Sequence, residues 1–327
     1  MKIFVAGPDH GDFFTHNVAV TCKTMGHDVR PFHGFRPAGS LGRVGRVIES
    51  VRERVRASQL RLDRAVLDAA AAFRPNLTIV CTRTLEPDTV RMIRSRTGSA
   101  VVCWFGDAPS NIRRDHVVSG EYDAVFLKDR RYADDLRDVL GLNAHHLHEA
   151  CNPMWHRPNT DERAGHVAVA GTLYGYRAAV LRRLVAAGWE VRCFGPAPSA
   201  WIDPEIAKLH TGEFLDHTRK AQEFGRALAC LNTFAPAERD TLNCRVFETC
   251  GCGGLLVSEH KAAMDDCFTE NEEYLAFRSF EELDEHLGRI RRDPAFAERI
   301  RANAARRAHS EHTYRQRLGY ILETIGS

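Results

Sequence analysis

The sequence predicts an α/β protein made of two similar domains in tandem. Short apolar runs, typical of strands, alternate with segments whose apolar residues recur at three- and four-residue spacing, typical of helices. The alternation begins with KIFVAG (2–7), stalls at 145–160 and restarts with HVAVAG (166–171). Each half opens with a strand, a glycine-containing loop, a helix and a second strand, and this order is typical of parallel sheets.

In the first half, five strands and four helices alternate. The predicted strands are KIFVAG, HDVRPF, NLTIVCT, SAVVCWFG and DAVFLK. The predicted helices are VAVTCKTMG, residues 44–73, LEPDTVRMIRSRTG and DRRYADDLRDVLG. The segment HHLHEACNPMWHRPNT (145–160) then interrupts the pattern. Its two prolines and polar residues predict a domain boundary there.

The second half repeats the alternation. The predicted strands are HVAVAG, EVRCFG, LACLNTF and GLLVSE. The predicted helices are YRAAVLRRLVAAG, TRKAQEFGRA, LNCRVFETCGC and the tail from residue 279, which ends in the amphipathic HTYRQRLGYILETIGS.

The composition restricts the class of protein. The net charge of +2 argues against nucleic acid as a partner. The apolar runs are far shorter than the about 20 residues that a membrane helix needs. The N-terminus has no signal-peptide pattern, so we expect a cytoplasmic protein with reduced, mostly buried cysteines. Neither GxGxxG after the first strand nor GxxxxGK[ST] occurs, which weakens the dehydrogenase and P-loop interpretations.

The segment NCRVFETCGCGGLLVSE (243–259) carries the strongest chemical signal. Arg245 and Glu248 are three residues apart and therefore share one face of the predicted helix. An arginine near a helix N-terminus attracts phosphate, and a glutamate can accept two ribose hydroxyls, so the pair suits a nucleoside diphosphate. The alternative is an exposed ion pair of small energetic effect. Cys250 and Cys252 lack a second matching pair, which favours close packing over a zinc site.

This segment resembles the C-terminal signature of the CgeB-like (spore maturation protein) glycosyltransferases, which have the GT-B fold. It is also similar to the EAMACG.PVV stretch of retaining GT-B enzymes, with Glu248, Cys252 and Gly253 on the matching Glu, Cys and Gly. The resemblance implies that Glu248 binds the ribose. Where those enzymes carry a further glutamate eight residues earlier, this chain has Asp240; the CgeB-like pattern instead has an Asn and an Arg, matched by Asn243 and Arg245.

The resemblance extends to the start of the second half. HVAVAGTLYGYRAAVLRRL is similar to the strand–Gly–x–x–Tyr–x–x–Arg–helix of that family, with Gly171, Tyr174 and Arg177 in place. A glycine at the end of a strand lets a phosphate approach backbone N–H groups. Thr172 follows it, and Arg177 could pair with phosphate. By its residues alone this segment is equally an ordinary β–α turn.

Two loops in the first half are candidates for acceptor chemistry. GPDHGDFFTHN (7–17) follows the first strand, and the resemblance implies that it helps to hold a sugar. His10 or Asp12 is a candidate general base for an acceptor hydroxyl, although a solvated polar loop is the alternative. Asp107, just beyond SAVVCWFG, is a third candidate or simply the N-cap of a helix. His146 and His148 do not have zinc-site spacing.

Together these observations predict an α/β protein with the GT-B fold, in which two Rossmann-like domains face a central cleft. Residues 1–155 would form the acceptor domain and 156–305 the sugar-nucleotide domain, with 306–327 as a helix returning to the first. The residues predicted to hold the nucleotide-sugar donor are Gly171, Thr172, Tyr174, Arg177, Asn243, Arg245 and Glu248, and the predicted catalytic residues are His10, Asp12 and Asp107.

We expect no cofactor and no metal, because basic residues and helix N-termini can neutralise a leaving diphosphate. The acceptor, which could be a small molecule, a glycan or a protein, and the oligomeric state are left open. Two other functions remain possible at this point. One is a non-catalytic nucleotide- or glycan-binding protein, and the other is a sugar-nucleotide epimerase, which would need no acceptor.

Overall fold

A computed structural model describes residues 1–8, 13–32, 55–82, 84–112, 116–236, 238 and 241–326. The chain divides into two compact units. Unit 1 contains Met1–Glu149 and the segment from Tyr314 onward, and unit 2 is Ala150–Thr313. The chain therefore passes between the units at 149/150 and 313/314, near the predicted boundaries at 155/156 and 305/306.

Unit 1 contains a parallel six-stranded sheet in the order β2-β1-β3-β4-β5-β6. Its strands are β1 (Lys2–Ala6), β2 (Asp28–Phe32), β3 (Leu77–Cys81), β4 (Ala100–Phe105), β5 (Ala124–Leu127) and β6 (Ala144–His146). The central strands are continuous apolar runs, and every residue of β3 and β5 is buried. Such runs are expected where helices cover both faces of a parallel sheet.

The helices of this unit that precede residue 149 connect the strands. They are α1 (Phe14–Thr24), α2 (Arg56–Phe73), α3 (Pro87–Thr97), the short α4 (His116–Ser119) and α5 (Arg130–Asp138), with a 3₁₀ turn at Pro109–Asn111. The predicted helix at 44–73 is observed from Arg56 onward, and its first part lies outside the described residues.

Unit 2 contains a parallel five-stranded sheet in the order β11-β10-β9-β7-β8. Its strands are β7 (Val167–Ala170), β8 (Val191–Phe194), β9 (Ala229–Asn232), β10 (Leu256–Glu259) and β11 (Leu275–Phe277). Its helices are α6 (Gly175–Ala186), α7 (Pro204–Ala207), α8 (His217–Arg226), α9 (Cys244–Gly251), α10 (Ala262–Asp265), α11 (Phe280–Arg292) and α12 (Pro294–Glu311). An apolar core forms between the sheet and helices α6, α11 and α12.

The last helix, α13 (Tyr314–Gly326), belongs to unit 1, where it packs against α1. The ring of Tyr314 lies 6.0 Å from Trp104 and 6.1 Å from Phe14, measured between ring centroids. The Arg315 guanidinium donates a 3.3 Å hydrogen bond to the carbonyl oxygen of Thr24. The segment from Tyr314 onward therefore belongs to unit 1, whereas residues 306–313, which were predicted to be part of the returning helix, belong to unit 2.

The two edge strands β6 and β11 were not predicted as strands. Each has only three residues, too few to show an alternation or an apolar run that stands out from a loop. β6 falls inside the segment that we interpreted as the domain boundary.

The described residues also give information on membrane helices, cysteines and groups of metal-binding side chains. Within the described ranges, no helix is long and apolar enough to cross a membrane. Nine of the ten cysteines are buried and Cys244 is half-buried, in keeping with the predicted packing role. Among the described residues no three His, Cys, Asp or Glu side chains are grouped so that they could hold a metal ion.

Candidate functional site

The candidate site is built at the carboxyl ends of β7 and β9. These strands are neighbours in the sheet, yet the chain leaves β7 toward β8 on the other side, so the strand order reverses between them. Ligands of open α/β sheets bind at such switch points, just beyond the carboxyl ends of the strands. Gly171 directly follows β7, Thr233 directly follows β9, and Asn243 directly precedes α9.

Gly171 allows an unusually close approach of other groups. Its φ is +107°, and a Cβ placed there would lie 3.0 Å from an Nη1 atom of Arg245 and 3.4 Å from Nη1 of Arg177. On the other side, a Cβ on Gly195 (φ +130°) would lie 3.1 Å from the Gly171 backbone. Both positions therefore require glycine, because any side chain would be strained and would displace the guanidinium groups or the neighbouring backbone.

Arg177 is 1% exposed and ties the two strand ends together. Its Nε donates to Thr233 Oγ1 (2.8 Å), Nη2 to the Thr233 carbonyl (2.8 Å) and Nη1 to the Thr172 carbonyl (2.8 Å). Its guanidinium also lies 4.7 Å from the ring centroid of Tyr174. Burial, followed by repulsion from Arg245, lowers the pKa of Arg177 to about 10, so it stays charged at neutral pH. Arg177, which was predicted to bind phosphate, therefore donates most of its hydrogen bonds to other groups of the protein.

Arg245 lies in the first turn of α9, half-buried beside Gly171. Its buried Nε atom has no hydrogen-bond partner among the described residues. Asn243, the N-cap residue, is 5% exposed, does not cap the helix with its side chain, and has both amide atoms unpaired within the same set of residues. Buried polar groups are nearly always hydrogen-bonded in proteins, so the Arg245 Nε and Asn243 Nδ2 donors are the atoms at this helix N-terminus that are suited to a polar ligand.

Glu248 lies one turn further along α9 and contacts different groups. Its Oε1 accepts a 3.0 Å hydrogen bond from Lys220 Nζ of α8 and lies 3.9 Å from His156 Nε2. The side chain is only 5% exposed. The sequence analysis missed Lys220 and His156, because nothing in the spacing of the three residues links them before the chain is folded.

Thr172 and Tyr174 complete the predicted donor residues. Thr172 is exposed, and its carbonyl oxygen is held by Arg177. The Tyr174 hydroxyl lies 3.0 Å from Thr233 Oγ1, and burial raises the pKa of this phenol. The structure therefore brings Gly171, Thr172, Tyr174, Arg177 and Arg245 into one cluster, while Glu248 joins a buried ion pair with α8.

Known proteins resemble this chain in part of its sequence and in its fold. Residues 177–323 match the model of a protein family described as glycosyl transferase-like. The chain is similar to sucrose-phosphate synthase from Thermosynechococcus elongatus, with 13% identity and a TM-score of 0.68 over 99% of this chain and 98% of that chain.

Two further structures also match over nearly their whole length. Anabaena HepE, in complex with UDP and glucose, has 12% identity and a TM-score of 0.67, over 100% of this chain and 99% of that chain. A UDP-forming trehalose-phosphate synthase from Burkholderia xenovorans has 11% identity and a TM-score of 0.61, over 100% and 98%. The protein has the fold of the GT-B glycosyltransferases. A comparison of the sequence with curated proteins found no match.

In unit 1 of this GT-B protein, one predicted catalytic residue is described. Asp107 follows β4 and is half-exposed, and its Oδ1 accepts a 2.7 Å hydrogen bond from the N–H of Ala108. The side chain does not cap the 3₁₀ turn that follows. Nearby, a Cβ on Gly106 would lie 3.3 Å from Oε1 of Glu149, a buried carboxylate that the sequence analysis did not select. His10 and Asp12 lie outside the described residues.

Cys250, in the last turn of α9, and Cys252, directly after it, pack into the core of unit 2. Cys250 and Cys252 are fully buried, and burial raises the pKa of both thiols. A Cβ on Gly251 would lie 2.8 Å from the Cβ of Cys151, and one on Gly254 would lie 2.9 Å from the carbonyl oxygen of Phe224. The packing interpretation of this run of small residues is therefore confirmed. The small residues let α9 lie close to its neighbours and so help to position Arg245.

Proposed function

We propose that the protein is a glycosyltransferase that uses a nucleoside-diphosphate sugar as donor. The observation that carries the proposal is the meeting of two guanidinium groups, Arg177 and Arg245, over Gly171 at the N-terminus of α9. Two adjacent cations repel each other, and an anionic ligand would relieve this repulsion. A helix N-terminus with unpaired side-chain donors adds to the attraction for phosphate.

Each residue has a distinct part in this proposal. Arg245 and Asn243 bind the diphosphate. Arg177 holds the carboxyl ends of β7 and β9 in register and adds positive charge. Glu248 binds the ribose hydroxyls, as the resemblance to the GT-B glycosyltransferases implies. Its carboxylate is held in position by Lys220.

In the proposed reaction, the bond between the anomeric carbon of the sugar and the diphosphate oxygen breaks. A bond forms between the anomeric carbon and an acceptor hydroxyl oxygen, whose proton passes to a base. His10, Asp12 and Asp107 are the candidates for this base. The negative charge that develops on the departing nucleoside diphosphate is stabilised by the arginine pair and the N-terminus of α9, which supports transfer without a metal.

A uridine nucleotide is the first donor to test. The HepE structure contains UDP and glucose, and the trehalose-phosphate synthase is UDP-forming. The finer assignment to the CgeB-like group rests on the RVFE…CGG motif and belongs to this proposal. The assignment of donor binding to unit 2 and of acceptor binding to unit 1 also belongs to this proposal.

Isothermal titration with UDP, GDP, dTDP and CDP tests the donor site. We expect one of them to bind with a dissociation constant in the range of about 1 μM to 1 mM, comparable to typical KM values. Release of that nucleoside diphosphate from its sugar nucleotide, with acceptors supplied and with EDTA present, then tests transfer. Failure of all four nucleotides to bind would overturn the proposal. Conversion of the donor sugar without an acceptor would favour an epimerase, and binding without any turnover would favour a binding protein.

A further inference from the structure

A separate pocket lies at the carboxyl ends of β9 and β10 in unit 2. Its volume is about 650 Å³, within the 300–1,000 Å³ that is usual for small-molecule sites. The residues that line it include Tyr176, Phe234, Glu238, Glu259 and Lys261. None of them was selected from the sequence as a site residue.

The carboxylate of Glu259 is fixed inside this pocket by two donors from different elements. The backbone N–H of Phe234 donates to Oε2 at 2.7 Å. The hydroxyl of Tyr176, in α6, donates to Oε1. An ionised carboxylate offers about four lone-pair positions, so two such bonds leave it able to accept further hydrogen bonds. Glu259 is therefore a preorganised acceptor for hydroxyl groups.

The remaining wall combines an aromatic ring with a lysine. Lys261 Nζ lies 4.9 Å from the ring centroid of Phe234, and the same ammonium donates to the carbonyl oxygen of Glu238. Phe234 itself is only 3% exposed, so the aromatic ring that the pocket presents beside these fixed hydrogen-bonding groups is that of Tyr176, which is 47% exposed. A polyhydroxylated ring has the matching chemistry, because it has C–H groups that pack on an aromatic face and hydroxyls that donate to a carboxylate.

The pocket adjoins the residues assigned to the diphosphate. Phe234 directly follows Thr233, whose hydroxyl and carbonyl both accept hydrogen bonds from Arg177. Tyr176 directly precedes Arg177 in α6. Consecutive Cα atoms are only about 3.8 Å apart. Both walls of the pocket therefore begin one residue away from the arginine cluster.

We propose that this pocket binds the hexosyl group of the donor and that Glu259 selects it by accepting sugar hydroxyls. The inference rests on the proposed function, because it assumes a sugar attached to the diphosphate. The negative charge of Glu259 disfavours a second phosphate in the pocket, while a neutral hydroxylated sugar gains charge-assisted hydrogen bonds. Sugar nucleotides with the same base differ in their sugar. In this proposal the sugar is recognised by residues outside the RVFE…CGG motif.

Titration of wild type, Glu259→Gln and Tyr176→Phe with UDP and with a panel of UDP-sugars tests the proposal. The panel contains UDP-glucose, UDP-galactose, UDP-N-acetylglucosamine and UDP-glucuronate. We expect Glu259→Gln to lower the affinity for the tightest UDP-sugar about tenfold, or about 1.4 kcal/mol, and to change UDP affinity less than twofold. Tyr176→Phe, at a side chain that is 47% exposed, should act in the same direction without affecting the fold.

A matched control is Glu205→Gln in α7, an exposed carboxylate paired with Lys208 at 2.6 Å. It should leave both affinities unchanged. If UDP and UDP-sugar affinities fall equally, or neither changes in Glu259→Gln and Tyr176→Phe, the pocket does not hold the sugar. The same conclusion follows if only the KM for an acceptor changes. If no nucleoside diphosphate binds to the wild type, the proposed function itself fails, and that result is distinct from the others.

Discussion

At the scale of single residues, two buried arginines show how a charge can serve structure or ligand binding. Arg301 is 4% exposed, and its two Nη atoms donate to the carbonyl oxygens of residues 225, 227, 228 and 253. Its Nε also lies 3.4 Å from Glu298. Arg177 is similarly bonded, but the charged group that affects its pKa most is a second guanidinium, that of Arg245. Arg301 is balanced by the protein, whereas the Arg177–Arg245 pair is suited to an anion.

This contrast predicts opposite effects of one substitution on stability and binding. Arg245→Gln removes one of two repelling cations, so the ligand-free protein should be as stable as the wild type within about 0.5 kcal/mol, or more stable. Nucleoside diphosphate affinity should fall about 10- to 100-fold, because a hydrogen bond to a charged group contributes about 1.5–3 kcal/mol. Thermal unfolding and isothermal titration measure the two effects.

Arg192→Gln is the matched control for this prediction, because Arg192 is an exposed arginine paired with Glu190. It should change neither stability nor affinity. Unchanged nucleotide affinity in a folded Arg245→Gln variant would remove Arg245 from the donor site. A large loss of stability with unchanged affinity would assign it a structural role instead.

At the scale of elements, the position of α9 depends on its contact with α8. The helix was predicted within 242–252 and is observed at Cys244–Gly251. Its link to α8 is the buried pair of Lys220 and Glu248, with His156 close to the same carboxylate. A buried pair of this kind orients the glutamate, and it makes substitutions at position 248 affect stability as well as binding.

We therefore expect Glu248→Ala to lower the free energy of unfolding by about 3–5 kcal/mol, because it breaks the buried ion pair with Lys220 by removing one partner. Adding Lys220→Met should recover most of that loss, since both charges are then absent. Nucleotide affinity should remain low in the double variant if Glu248 binds the ribose. Urea denaturation and titration of the single and double variants separate the two roles. Recovery of binding together with stability would show that Glu248 acts only by holding α9 in place.

At the scale of the whole molecule, each unit builds its own parallel sheet and core, and the proposed roles divide between them. All residues assigned to the donor lie in unit 2, and all candidates for the base lie in unit 1. Loss of a base slows the chemical step without removing a contact to the diphosphate.

His10→Ala or Asp12→Ala should accordingly lower kcat about 100-fold or more, while nucleoside diphosphate affinity stays within about twofold of the wild type. Turnover and titration on the same variants test this expectation once an acceptor is known. Full activity in both would place the base elsewhere, with Asp107 the next candidate, or show that no protein base is needed. Reduced nucleotide affinity in either would contradict the division of roles between the units.

The sequence alone determined the alternation of strands and helices and the glycine and arginine positions at the strand ends. These features depend on local periodicity and on residues close together in the chain, as in the segments at 166–177 and 243–259. The two three-residue edge strands escaped prediction because they are too short to show a pattern.

Only the tertiary structure decided what those residues contact. Arg177 donates to Thr233, 56 positions away, and Lys220 pairs with Glu248 over 28 positions. Tyr176 and Glu259, which form the wall of the pocket, are 83 positions apart. Hydrogen bonds of this kind join residues on different elements, and parallel strands are themselves connected through long crossovers. Burial, charge balance and pocket shape at the site therefore follow from the order of the strands in the sheet, which the spacing of residues along the chain does not record.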